Sequence, residues 1–238
     1  MQENLLVGMV GSFLILLRGE ICMELNNREM ASSLNLSNLM SIQRGTLNYT
    51  WRDIECLKNP FDFALLFKLL WELKPRTIVE IGSCNGGSAL LMADIIKLYG
   101  FDCHIWSVDH DPKINFDDDR ITFLKGDAND LSTAFSLEEL PSLPRPWLVL
   151  EDSAHLYETT LSVLKFFDGF LMKGDYVIVE DGNVDDMGRS AEFHGGPNRA
   201  IKEFFENRLT NYTLDTNYCD YWGHNMTWNT NGYWRRVL

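Results

Sequence analysis

Thr77-Ile78-Val79-Glu80-Ile81-Gly82-Ser83-Cys84-Asn85-Gly86-Gly87-Ser88 is the stretch whose reading decides the fold. Thr77 to Ile81 is a short β-branched and apolar run, the pattern of a strand buried on both faces. A glycine-rich turn follows, and Gly86 to Tyr99 then reads as a helix. Upstream, Phe61 to Leu73 is a second helix, with Pro75 marking its stop.

Downstream, the alternation continues. His104 to Asp109, Ile121 to Lys125, Trp147 to Glu151 and Tyr176 to Glu180 read as further strands. Helices are expected over 157–171, with Leu164, Phe167 and Leu171 on one face, and from Pro197 to about Arg208. Two closing strands fall near 212–216 and 232–237. Strands alternating with helices predict an α/β architecture: a doubly wound, mostly parallel, Rossmann-like sheet with helices on both faces. In such sheets ligands sit at the carboxyl ends of the strands.

Three features lie just past consecutive strands, in order. Glu80 precedes the turn Gly82-Ser83-Cys84-Asn85-Gly86-Gly87, whose glycines let backbone approach a ligand closely. Asp109, in Val108-Asp109-His110-Asp111, stands where a carboxylate can accept from ribose hydroxyls. Gly126-Asp127-Ala128 follows the third strand at the place of an adenine. Each alone has a plainer reading: a tight turn, a helix cap at Asp109, a turn residue at Asp127. Together they predict a nucleoside cofactor. The loop is not G-x-G-x-x-G, so the dinucleotide fingerprint is broken, and a glutamate two residues before Gly82 suits a methionine sulfonium donor. The expected donor contacts are Glu80, Gly82, Ser83, Asn85, Gly86, Ser88, Asp109, Asp127 and Ala128.

Further acidic groups end the next two strands: Glu151-Asp152-Ser153-Ala154-His155 and Glu180-Asp181-Gly182-Asn183. Asp152, Glu180 and Asp181 converge if those strands are neighbours. Like charges so close repel unless one is protonated or a cation lies between them. Hard oxygens suit Mg²⁺, Ca²⁺ or Mn²⁺ rather than zinc. The other possibility is that Glu180 and Asp181 point to opposite faces of one strand, leaving a single carboxylate at the site. His155 lies three residues past Asp152 and is read as a general base, a role Asp152 could share. A hydroxyl acceptor needs one, because alkyl hydroxyls are poor nucleophiles at neutral pH.

Bulk properties set the outer bounds. The chain has 238 residues, 45% hydrophobic and 23% charged, enough for one sizeable α/β core. Its net charge of −13 argues against a nucleic-acid partner, which would call for a basic face. The five cysteines are widely spaced without a C-x-x-C pair, which fits a reducing cytoplasm and buried thiols better than disulfides or zinc. Leu5 to Leu17 is apolar but short of the roughly 20 residues a membrane span needs, so a packing or dimerisation helix is expected. Residues 26–48, rich in Asn and Ser, read as a polar connection. The division is thus an N-terminal helical and connecting segment, 1–48, and a catalytic domain, 49–238.

At these residues the sequence resembles the family named after cephalosporin hydroxylase, which includes rhamnosyl and macrolide-sugar O-methyltransferases. The resemblance runs from Tyr49 to Arg199. It begins with Tyr49-x-Trp51-x-x-Ile54-x-Cys56-x-Lys58-Asn59-Pro60-x-Asp62, similar to the family's segment over the cofactor, which puts Lys58 at the cofactor. Glu80-Ile81-Gly82-x-x-x-Gly86-Gly87-Ser88, Asp152-Ser153-x-His155, Val179-Glu180-Asp181 and Gly195-Gly196-Pro197 continue it. The resemblance implies a class I methyltransferase fold, S-adenosylmethionine as donor, and Mg²⁺ held by Asp152, Glu180 and Asp181, with His155 as base. It also implies a small hydroxylated acceptor, a sugar or natural product, and a homo-oligomer in which an N-terminal helix takes part. It says little about the aromatic and Asn-rich tail, Tyr218 to Trp234, for which lining the acceptor pocket and packing as a terminal hairpin both remain open. Two other functions are carried alongside: a nucleotide-dependent oxidoreductase or hydroxylase auxiliary, and a non-catalytic protein that only binds S-adenosylmethionine.

Overall fold

The β-branched runs form strands, and the apolar periodic runs form helices that cover them. The computed structural model describes residues 28–238. A helix α1 (Leu36–Thr46) leads to a small antiparallel hairpin, β1 (Thr50–Trp51) and β2 (Ile54–Glu55). Then come α2 (Pro60–Leu73), β3 (Thr77–Ile81), α3 (Gly87–Tyr99), β4 (His104–Asp109), β5 (Ile121–Lys125) and β6 (Trp147–Glu151). The chain continues through α4 (Tyr157–Asp168), β7 (Tyr176–Val179), α5 (Gly196–Glu206), β8 (Tyr212–Leu214), the short α6 (Thr216–Cys219) and β9 (Tyr233–Arg236).

One seven-stranded sheet has the order β5-β4-β3-β6-β7-β9-β8. From β5 to β7 all pairs are parallel, and β9 runs antiparallel to both its neighbours. The order reverses between β3 and β6, so a crevice opens beyond their carboxyl ends. Every residue of β3, β6 and β7 is buried, as continuous apolar runs require when helices cover both faces.

Alternation along β3 separates two cores. Ile78 joins Leu65, Leu69, Leu90 and Leu150 under α2 and α3. Val79 and Ile81 join Leu164, Phe167, Ile201 and Phe205 under α4 and α5. Glu80 therefore points to the α3 side. At the closing hairpin the Trp234 ring stacks on Phe205, centroids 3.7 Å apart and planes within 5°.

The strands Thr77–Ile81, His104–Asp109, Ile121–Lys125 and Trp147–Glu151 have the expected bounds. Other expectations need correction. The polar connection over 26–48 contains α1: Asn35 caps it by accepting from the Asn38 amide at 2.9 Å, and Leu39 anchors it with no exposed surface. Its Asn and Ser residues act as helix starters there rather than turn formers. The helix from 157 stops at Asp168, and the strand from Tyr176 stops at Val179, one residue before Glu180. The tail packs: Tyr218, Trp228 and Trp234 are buried, while Tyr221 and Trp222 are exposed. Among the described residues Cys56 and Cys219 are buried thiols, Cys103 is half-buried and Cys84 is exposed. No helix among the described residues is long and apolar enough to cross a membrane. The segment Leu5 to Leu17 lies outside the described residues.

Trp234→Ala removes the stacked ring from a filled core. It is expected to lower the unfolding free energy by about 3–5 kcal/mol, read from urea denaturation.

Candidate active site

Strand register brings the site residues together. Ile81 lies opposite Val108 on one side and Glu151 on the other, and Glu151 lies opposite Val179. Just beyond, the Asp152 amide donates to Ile81 O and the Glu180 amide to Glu151 O, each at 2.9 Å. The ends of β3, β6 and β7 are thus level, and their next residues line one cleft.

The cleft has a volume of about 660 Å³. Of the expected donor residues, Gly82, Ser83, Ser88, Asp109, Asp127, Ala128 and Lys58 line it. Gly82 has φ +112°, and a Cβ there would fall 2.0 Å from the Asp152 carbonyl oxygen, so only glycine lets β3 turn this close to β6. Asp109 accepts from the Cys84 amide at 2.8 Å and the Asp111 amide at 2.9 Å, ordering both loops around its carboxylate. Asp127 accepts from the Asn129 amide at 2.8 Å, so its turn role and its place on the cleft wall coexist.

Three expected contacts are placed elsewhere. Glu80 is wholly buried beneath the loop, where its carboxylate accepts from the Ser88 and Ser107 hydroxyls, and burial raises its pKa. Asn85 donates to Glu55. Gly86 turns toward Phe123, Ile114 and Phe116, away from the cleft. These residues shape the loop from behind. The walls also include Glu55, Leu57, Cys84 and His110, which sequence reasoning did not single out. Glu55 ends β2 and Leu57 follows it, and only the motif around Lys58 signalled that this segment covers the site.

The acidic end holds Asp152, His155 and Asp181, each able to bring one ligand atom within 4.8 Å of the others. His155 Nδ1 is 3.5 Å from Asp181 Oδ2, and the Phe193 ring packs edge-on against the imidazole. His155 and Asp181 both have left-handed backbone, φ +57° and +58°, a conformation uncommon outside glycine. Burial works against an imidazolium, but Asp181, Asp152 and Glu151 outweigh it and hold His155 above the usual histidine range. Burial lifts the Asp181 carboxyl to about 6, His155 opposing.

Glu180 is set differently from the expectation of a third carboxylate in that group. Lys58 Nζ lies 2.5 Å from Glu180 Oε2 and 2.6 Å from Asp152 Oδ2. Burial opposes the ammonium charge, yet the Asp152 and Glu180 carboxylates more than offset it and hold Lys58 well above its usual range. Because β7 ends at Val179, both acidic residues after it reach this region, Glu180 at Lys58 and Asp181 at His155. Two carboxylates and an imidazole gathered on the cleft floor fit a hard divalent cation.

The family described as rhamnosyl O-methyltransferase/CmcI matches residues 43–237. The chain belongs to that family. A rhamnosyl O-methyltransferase of Mycobacterium leprae is 32% identical over 161 residues, covering 65% of this chain and 69% of that protein. One from Mycobacterium tuberculosis is 28% identical over 172 residues, 70% of each chain. A solved CmcI structure with Mg and SAM has a TM-score of 0.65 and 31% identity, covering 81% of this chain and 78% of that one. An apo CmcI structure gives a TM-score of 0.64 at the same identity, covering 81% of this chain and 77% of that one. As a member of the rhamnosyl O-methyltransferase/CmcI family the chain is an O-methyltransferase with the class I fold.

Gly82→Ala forces a side chain onto the Asp152 carbonyl at a backbone angle alanine avoids. A loss of at least about 1 kcal/mol is expected in thermal unfolding, with the cleft distorted at the β3–β6 junction.

Proposed function

We propose that the cleft seats S-adenosylmethionine against the ends of β3, β4 and β5, and that the methyl group passes to a hydroxyl of a sugar or other small natural product at the acidic end. The observation that carries this reading is the continuity of the cleft. Gly82, Asp109 and Asp127 line the same space as Asp152, His155 and Asp181. Asp109 keeps acceptor capacity beyond its two backbone amides, which suits ribose hydroxyls. Ala128, small and apolar, suits the face of an adenine. The chain is an S-adenosylmethionine-dependent O-methyltransferase, as its family and the Mg- and SAM-bound CmcI structure support.

Mg²⁺ is the metal this reading assigns to the floor, with Asp152 and Asp181 as carboxylate ligands and Glu180 the third acidic residue beside them. When bound, such an ion lowers the pKa of the acceptor hydroxyl. His155 would take the hydroxyl proton as the oxygen bonds to the methyl carbon and the methyl–sulfur bond breaks, releasing S-adenosylhomocysteine. Its pairing with Asp181 orients the ring and favours the imidazolium that results. Lys58 keeps Glu180 and Asp152 from repelling the rest of the cluster. The rhamnosyl specificity of the relatives makes a deoxysugar hydroxyl the first acceptor to try.

Calorimetry with S-adenosylhomocysteine and with NADH, side by side, tests the donor: binding of the first and not the second is expected, and the reverse overturns the reading. Transfer of one methyl group to a rhamnosyl glycoside, followed by mass spectrometry, tests the acceptor class. Asp152→Ala and His155→Ala are each expected to cut kcat/KM by roughly 100-fold or more. Chelation followed by dialysis should abolish turnover, and Mg²⁺ should restore it. Activity that survives thorough chelation would remove the metal and leave the donor site standing.

A further inference from the structure

We propose that Lys58 competes with the divalent cation for Asp152, and so holds the metal affinity of this enzyme down. The inference rests on the metal reading above. The ammonium group lies 2.6 Å from Asp152 Oδ2 and 2.5 Å from Glu180 Oε2, inside a pocket that leaves Lys58 5% exposed. A lysine is seldom so deeply buried unless its charge is matched, and here two carboxylates match it. Asp152 is at once its partner and a member of the group whose ligand atoms lie within 4.8 Å of one another. One carboxylate therefore serves two cations.

Competition follows from charge and reach. A divalent ion on Asp152 repels an ammonium ion a few ångströms away, and the low-dielectric surroundings screen that repulsion poorly. Lys58 has little room to withdraw. Its amide donates to Cys56 O at 2.9 Å, and the next residue, Asn59, caps α2 by accepting from the Phe61 and Asp62 amides. Only the four-carbon stem can turn, so the charge stays near the cluster after it leaves Asp152. The ion must displace one ammonium contact and then tolerate the ammonium beside it.

Two measurements on the full-length protein test this. In the first, Mn²⁺ is titrated into wild type, Lys58→Met and Lys58→Gln, with free Mn²⁺ read by electron paramagnetic resonance. Both variants are expected to bind Mn²⁺ about 10-fold tighter or more, because a nearby positive charge is gone. In the second, the Lys58 ammonium signal of the wild type is followed by ¹H–¹⁵N NMR as Mg²⁺ is added. It is expected to shift and to exchange faster with water as the Asp152 contact opens, and this needs no variant to fold. Equal or weaker Mn²⁺ binding by a folded variant, or an ammonium signal unmoved by saturating Mg²⁺, overturns the inference while the metal site stands. Failure of every form to bind Mn²⁺ overturns the metal reading, and the competition with it.

Discussion

Parallel register between β3, β6 and β7 is the constraint from which the site follows. The three strands end level because Ile81 faces Glu151 and Glu151 faces Val179. Two amides then close the ends, Asp152 onto Ile81 O and Glu180 onto Glu151 O. Gly82 completes the junction, since any side chain there would strike the Asp152 carbonyl. A slip of one residue would turn Asp152 to the other face of the sheet and break up the acidic group. The chemistry depends on backbone pairing before it depends on any side chain.

That convergence creates an electrostatic problem which the fold answers locally. Asp152, Glu180 and Asp181 are brought together in a largely buried place, with Glu151 just behind. Glu151 is removed from the contest by the Ser153 and Thr160 hydroxyls, Thr160 donating at 3.0 Å. Glu80, on the opposite face of β3, is likewise quieted by two serines. The remaining charges meet two cationic groups, Lys58 on one side and His155 on the other. The cluster is divided, with Glu180 on the lysine side, Asp181 on the histidine side and Asp152 reaching both.

Much of this was legible in the sequence, and the misses have physical causes. The fully buried strands were readable because a strand covered on both faces is a short apolar run bounded by turn residues. The order of Gly82, Asp109 and Asp127 after successive strands pointed to the cleft that all three line. Spacing could not show which way a side chain turns. Glu80 sits two residues from Gly82 yet faces α3, because strand residues alternate, and Gly86, the left-handed residue that opens α3, is packed under Phe123. Lys58 was expected at the cofactor from its motif. It lines the cleft, and its ammonium group meets Asp152 and Glu180, 94 and 122 residues away, a pairing that only the tertiary fold makes visible. The helix α1 was hidden because Asn and Ser serve equally as caps and as turn formers.

The tail shows how a remote segment can act on the site without touching it. Tyr218 to Trp234 contributes no residue to the cleft wall. Its loop is instead fastened to Asp62, a buried carboxylate that accepts from the Trp228 amide at 3.0 Å, the Tyr233 hydroxyl at 3.3 Å and the Thr227 hydroxyl. Asp62 also accepts from the Asn59 side chain, and Asn59 caps the helix that begins one residue after it. Burial raises the Asp62 carboxyl pKa while these donors pull it back. The tail therefore braces the turn carrying Lys58, and the ammonium group can be held between two carboxylates because its backbone is pinned from beneath. Of the two readings open for this tail in the sequence, the buried Tyr218, Trp228 and Trp234 follow the packed one, and that packing keeps a single lysine in register with the ends of β6 and β7.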